Sequence, residues 1–228
     1  MQVNNLFLRL QYKCSLLKIG KTILASTIIE ECQKDNNFIT GYFYCHYEIQ
    51  GCNTAVGVLK GLVYQLLNQH PDLLPHCYTR RTTSGEPVLR SLQIAKNLFE
   101  DFSSIQEKMF IIIDGVDECE KNEQKQLLEF LVDIVSQCDV TEAGKLRVMI
   151  VSQDTPEIRK ALHSSSTGKV VPTIVSLSPE DNEDDIKTYV SGWVNRIAAK
   201  FDLIDEGHKE YLRHLTVARA KGTRDQHK

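Results

Sequence analysis

Closely spaced cysteine pairs are missing from this sequence. Its seven cysteines run from Cys14 to Cys138 at irregular intervals, with no C-x-x-C. An odd count at such spacing argues against a disulfide framework, and no His and Cys cluster has zinc-finger spacing. Cys45-His46 comes nearest, which is too little for a metal centre. Cysteines used this way point to a reducing setting, the cytosol or nucleus, and the expected location is cytoplasmic. Long apolar runs are missing too. None approaches the roughly 20 residues needed to cross a bilayer. The opening "MQVNNLFLRLQYKC" is too short and, at Arg9, too interrupted for a secretory signal. Nor is there a surplus of one charge. A net charge of −3 gives no electrostatic case for a nucleic-acid or membrane partner. Internal repeats and low-complexity tracts are also absent.

What is present is ordinary globular material: 228 residues, 42% hydrophobic and 25% charged. That length suits one large domain, or one domain with a small appendage, and buries roughly 70–75% of the unfolded chain's surface without metal or disulfide. Short β-rich runs alternate with longer helical ones. Residues 6–12 ("LFLRLQY") read as a strand. In 21–33 ("KTILASTIIEECQ") Leu24, Ile28 and Cys32 form one stripe with Ala25 and Ile29 beside it, which predicts an amphipathic helix. Residues 39–48 are aromatic and β-rich, 54–67 helical, 79–88 ("TRRTTSGEPV") a polar break, and 91–104 helical. The run at 108–118 ("KMFIIIDGVDE") is continuously apolar before its acids, as in a strand buried on both faces. A helix at 125–138 and a buried strand at 146–152 follow. Thr155-Pro156 supplies an N-cap and an N1 proline, 171–177 is a further strand, and 185–197 opens the last helical region. Strands alternating with helices predict an α/β fold, a mostly parallel sheet with helices on both faces.

Gly20-Lys21-Thr22 follows a candidate strand and heads a helix. It is the second half of the phosphate-binding motif G-x-x-x-x-G-K-[ST]. There, backbone N–H groups wrap the phosphates, the lysine reaches the β/γ-phosphates and the hydroxyl binds Mg²⁺. Alone the tripeptide is weak, because G-K-[ST] arises by chance in on the order of one chain in ten of this length. "MFIIIDGVDE" (109–118) strengthens it. A nucleotide's Mg²⁺ needs a carboxylate at the carboxyl end of a neighbouring strand, which Asp114 can supply. Hydrolysis needs an acid to orient water, and Asp117 or Glu118 fits that role.

"FIIIDGVDEC" resembles the Walker B segment of NACHT-type P-loop NTPases of the STAND class, in their nephrocystin-like version. "TGYFYCHYE" with "TAVGVLKGLVYQLL" is similar to the family's second strand and helix, and "LRVMIVSQDTPEIRKAL" to its sensor strand and next helix. "IVSLSPEDNEDDIKTYV" resembles the following strand and helix start, and "ARAKG" the helix near the core's end. The likeness covers about residues 15–222. It implies a P-loop NTPase-type fold and a switch driven by ATP or GTP with Mg²⁺. In longer relatives this module sits beside effector domains and repeats such as ankyrin repeats. Carried over residue by residue, it implies nucleotide contacts at Gly20, Lys21, Thr22 and Asp114, Mg²⁺ at Thr22 and Asp114, and a catalytic acidic pair at Asp117 and Glu118. Nucleotide, other protein domains and self-association are the partners it implies, with no nucleic acid and no membrane.

Three departures from the family pattern stand out. The loop's first glycine position holds Ser15, and Leu16, Leu17, Lys18 and Ile19 replace its small residues. A β-branched Ile19 suits a phosphate nest poorly, so a misshapen Walker A loop with lowered affinity is expected. Gln153 stands where the family commonly has a sensor arginine, whose permanent forked charge it cannot supply. "TRDQHK" after Gly222 resembles nothing in the family, as if the chain were a fragment. The domain reading is an N-terminal segment (1–14) carrying the first strand, a core over 15–222 and a disordered tail over 223–228. A nucleotide switch with at most slow Mg-dependent hydrolysis is the leading expectation. A non-hydrolysing interaction scaffold is the alternative. A kinase-like transferase is a third reading, with Arg80-Arg81 as the only candidate lid.

Overall fold

A computed structural model of the chain describes residues 10–15, 21–35, 37–85, 88–106, 108–163, 171–177, 183–201 and 205–220. Its described part separates into two compact units. One comprises residues up to Cys14 together with Lys21–Val175, and the other includes Ser15 and the chain from Ser176 onward.

The first unit is built on strands β1 (Leu10–Ser15), β2 (Ile39–Tyr44), β3 (Met109–Asp114), β4 (Leu146–Ser152) and the start of β5 (Thr173–Leu177). They form one sheet in the order β2-β3-β4-β1-β5, and the pairs β2–β3, β3–β4 and β4–β1 are parallel. Such connections need crossovers, and helices provide them. These are α1 (Lys21–Gln33), α2 (Ala55–Gln69), α3 (Leu74–Ser84), α4 (Leu92–Ile105), α5 (Lys121–Thr141) and α6 (Pro156–His163). In the second unit, α7 (Glu183–Phe201) and α8 (Glu206–Ala220) pack together, and Arg213 donates to Asn195 Oδ1 at 3.3 Å.

The period-2 alternation of strands sorts the core into two faces. Ile111, Ile113, Val148 and Ile150 join Leu59, Leu62, Phe99, Leu127, Leu131 and Ile158 in the larger cluster, under α2, α4, α5 and α6. Phe110, Ile112, Met149 and Val151 face the other way and pack on Ala25, Ile28, Ile29 and Cys32 of α1. The stripe predicted in 21–33 is thus the buried face of α1. Helices cover both faces of a parallel sheet, as the alternation of runs predicts.

Two expectations need correction. The first strand, expected at 6–12, ends later, at Ser15, and residues 1–9 lie outside the described ones. The polar break expected at 79–88 is instead helical to Ser84. The run "TRRTTS" exposes no apolar stripe, so periodicity misses it. Thr79, Thr82 and Thr83 donate to the carbonyls of Pro75, Tyr78 and Thr79, four residues back. Arg80 grips Asp101 of α4 through Nε at 3.1 Å and Nη2 at 3.0 Å, and Gly85 ends the helix at φ 68°. The pair Arg80-Arg81 therefore lies on a helix, with Arg80 tied to α4, and does not form a loop lid.

Candidate functional site

Asp114 closes β3 at the carboxyl edge of the sheet. It follows Phe110 and Ile112 in parity, so its side chain leaves on the α1 face, where α1 begins with Lys21 and Thr22. Asp114 is only 6% exposed, and the Thr22 hydroxyl acts on its carboxylate. Burial pushes its pKa up from the ordinary carboxylate value. The Thr22 hydroxyl and the nearby Lys21 ammonium pull it back down, and the Asp117 charge adds to the rise. The two separated stretches thus meet, amino group and hydroxyl facing carboxylate. Gly20 and the altered loop residues Leu16–Ile19 lie outside the described residues, and of Ser15 only its place at the end of β1 is described.

A tight turn carries the acidic pair. Gly115 adopts φ 76°, a left-handed conformation in which a Cβ would lie 3.0 Å from the Cys45 carbonyl oxygen. That close approach requires glycine. A 3-10 turn over Val116–Glu118 follows, fixed from below by Gln124, whose Nε2 donates to the Val116 carbonyl at 2.9 Å. The two acids then diverge. Asp117 Oδ1 accepts the backbone N–H of Gln153 at 2.9 Å, just past β4, and Glu118 Oε2 accepts the backbone N–H of Tyr47 at 3.2 Å, just past β2. Gln153 therefore reaches Asp117 through its backbone.

Sequence reasoning missed two side-chain pairs here. Tyr44, last in β2 and in register with Asp114, places its hydroxyl 3.0 Å from Ser26 Oγ on α1. Cys45 follows it, with its N–H donating to the Asp114 carbonyl at 2.8 Å. Its buried thiol neighbours the buried Cys119 thiol, and that neighbour, with burial second, pushes the Cys45 pKa up. The signal for Tyr44 was its parity with Tyr42 in an aromatic strand, but finding Ser26 needed the strand order.

A cavity of about 250 Å³ lies elsewhere in the first unit, between α2, α3 and α4, with walls such as Val63, Leu67 and Leu98 and no carboxylate in its lining. It lacks the acid that a metal–polyphosphate needs, whereas Lys21, Thr22 and Asp114 bring cation, hydroxyl and acid to the carboxyl edge of the sheet and form the candidate site. Among the described residues no group of three His, Cys, Asp or Glu is arranged to hold a metal by itself, and no helix is long and apolar enough to cross a membrane.

The fold and this cluster define an α/β domain of the P-loop NTPase type. The chain belongs to the nephrocystin-3 N-terminal family, a NACHT-type form of that domain, whose model matches residues 18–153. That range takes in Lys21, Thr22, Asp114, Asp117 and Glu118. The chain is 28% identical over 185 residues to the vegetative incompatibility protein HET-E-1 of Podospora anserina, covering 78% of this chain and 13% of that protein. It therefore spans a small part of that relative's length. Among solved structures, a chain of Drosophila ORC bound to DNA superposes with TM-score 0.56 at 15% identity, over 95% of this chain and 52% of that one. The Walker-type ATPase PABY2304 of Pyrococcus abyssi gives 0.48 at 13% identity, over 94% and 63%.

Proposed function

We propose that this domain is a nucleotide-binding switch module that takes ATP or GTP with Mg²⁺ at the carboxyl edge of its sheet. One observation carries the reading: Asp114 is buried, its ionised form is disfavoured by that burial, and the groups opposing the penalty are Thr22, Lys21 and the Gly115 backbone. A site built this way is short of positive charge, which a divalent cation on a polyphosphate supplies. In this reading Lys21 neutralises phosphate charge, the first turn of α1 offers its N–H groups to the anion, and Gly20 is a further nucleotide contact. Thr22 and Asp114 hold the metal, and Asp117 and Glu118 are the catalytic pair that orients water. Ser15 and Ile19 lead us to expect weak affinity, and turnover, where it occurs, to be slow.

The core is assigned to 15–222, between a short N-terminal segment and a tail over 223–228. Its Walker A and Walker B segments would work in signal transduction from the cytoplasm. Effector and repeat domains of a longer protein, ankyrin repeats among them, and further copies of the chain are its proposed partners.

A second reading, an interaction scaffold without hydrolysis, draws on the acids themselves. Asp117 and Glu118 each hold a loop backbone N–H, which is a structural use of both.

Thermal unfolding with Mg-ATP or Mg-GTP tests the proposal. At 100 times Kd, binding stabilises by about 2.7 kcal/mol, or about 5–10 °C in a domain of this size. Lys21→Ala should abolish the shift. No shift in the natural chain, or an equal one in the variant, would reject nucleotide binding at this site. Phosphate release lost in Asp117→Asn and Glu118→Gln with binding retained would favour the switch over the scaffold.

A further inference from the structure

We propose that Tyr44 is a positioning residue for the Thr22–Asp114 pair, acting through Ser26. This rests on the nucleotide reading above and specifies how that site is held in shape.

The need for such a strut comes from how α1 is anchored. Its buried residues are Ala25, Ile28, Ile29 and Cys32, all beyond the first turn. Lys21 and Leu24 are half-buried, Thr22 is exposed, and Ile23 is 70% exposed. Apolar packing therefore fixes the body of the helix and, through Leu24, one side of its first turn, and leaves exposed Thr22, which would meet the metal, to polar contacts. One is the pairing of the Thr22 hydroxyl with the Asp114 carboxylate, which it favours in the ionised form. The other is a two-bond chain from the neighbouring strand. The Tyr44 hydroxyl lies 3.0 Å from Ser26 Oγ, and Ser26 Oγ donates to the Thr22 carbonyl at 2.8 Å.

Tyr44 is well placed to transmit position. It pairs in register with Asp114, and the next N–H, of Cys45, donates to the Asp114 carbonyl at 2.8 Å. Its ring is steadied by an edge contact to Tyr42, with centroids 5.9 Å apart. Both members of the metal-holding pair are therefore referenced to the end of β2, Asp114 through the ladder and Thr22 through the phenol. Losing the hydroxyl leaves the α1 packing intact and frees only the turn that carries Thr22. The cost should fall on the metal-dependent part of binding.

The test is the Mg²⁺ dependence of mant-ATP and mant-GTP binding to the full chain. Tyr44→Phe and Ser26→Ala should each raise the Mg²⁺ needed for half-maximal binding about three- to tenfold, the worth of one hydrogen bond. Affinity without Mg²⁺ should stay unchanged. The double variant should be no worse than either single one, since one chain is broken twice. In a Thr22→Ala background, Tyr44→Phe should have no further effect. Natural chain that binds with unchanged Mg²⁺ dependence in both variants would overturn the inference and leave the nucleotide reading standing. Equal losses with and without Mg²⁺, or additive losses in the double variant, would overturn it as well. Natural chain that binds neither probe overturns the nucleotide reading, and this inference with it.

Discussion

Asp114 is where the chemistry and the stability of this domain pull apart. Burial raises its pKa over the opposing pull of Thr22 and Lys21. As pH rises, the unfolded chain gives up this proton first, near pH 4, while the folded carboxyl still holds its own. The stability this group contributes is therefore complete at low pH, falls as pH passes through the raised folded value, and is flat above it. Asp114→Asn removes that loss. The apo variant should melt above the natural chain at neutral pH. Its advantage should vanish below about pH 4, and Mg²⁺ should add nothing to its stabilisation by nucleotide. An unchanged or lower melting temperature at pH 7 would mean that the charge is not penalised. A second residue-scale outcome concerns the thiols beneath the site. Cys45 and Cys119 are buried, and the neighbouring Cys119 thiol raises the Cys45 pKa. Iodoacetamide should label both about tenfold or more slowly than half-buried Cys52 in the folded chain. Equal rates, read by peptide mass mapping, would count against this packing.

At the scale of elements, helix ends do much of the placement. Thr54 caps α2 by accepting the Gly57 N–H at 3.1 Å, and Glu123 of α5 accepts the Ala55 N–H at 2.8 Å. Thr54→Ala should cost ~1 kcal/mol, seen as a lower urea midpoint with unchanged slope. A change below a few tenths would show that Glu123 alone suffices. The strands and helices around the site were legible in sequence because each carries a buried stripe: the periodic run of α1, the five apolar residues before Asp114, the seven-residue β4. Helix α3 was not, since none of its residues is buried and its threonines and Arg80 hold it through polar bonds. The same contrast holds within the site. Lys21, Thr22 and Asp114 were readable because the chemistry fixes their types and parity fixes their face. The Tyr44–Ser26 contact depends on β2 pairing with β3, which no local pattern encodes.

For the molecule as a whole, the strand order puts β3 and β4 between β1 and β2, so α1 crosses the sheet to reach β2 and begins beside the end of β3. That topology, more than the tripeptide at 20–22, brings residues 92 positions apart into one cluster. It agrees with the family assignment over residues 18–153 and with the fold shared with the Drosophila ORC chain. The chain spans 13% of the length of its relative HET-E-1. The most direct check on the central claim is calorimetric titration of ATP and GTP into the chain with and without Mg²⁺, alongside Lys21→Ala and Asp114→Asn. One nucleotide should bind per chain in a metal-dependent way, Lys21→Ala should abolish binding, and Asp114→Asn should abolish its metal dependence. No heat of binding from either nucleotide, or equal affinity in all three proteins, would contradict the account.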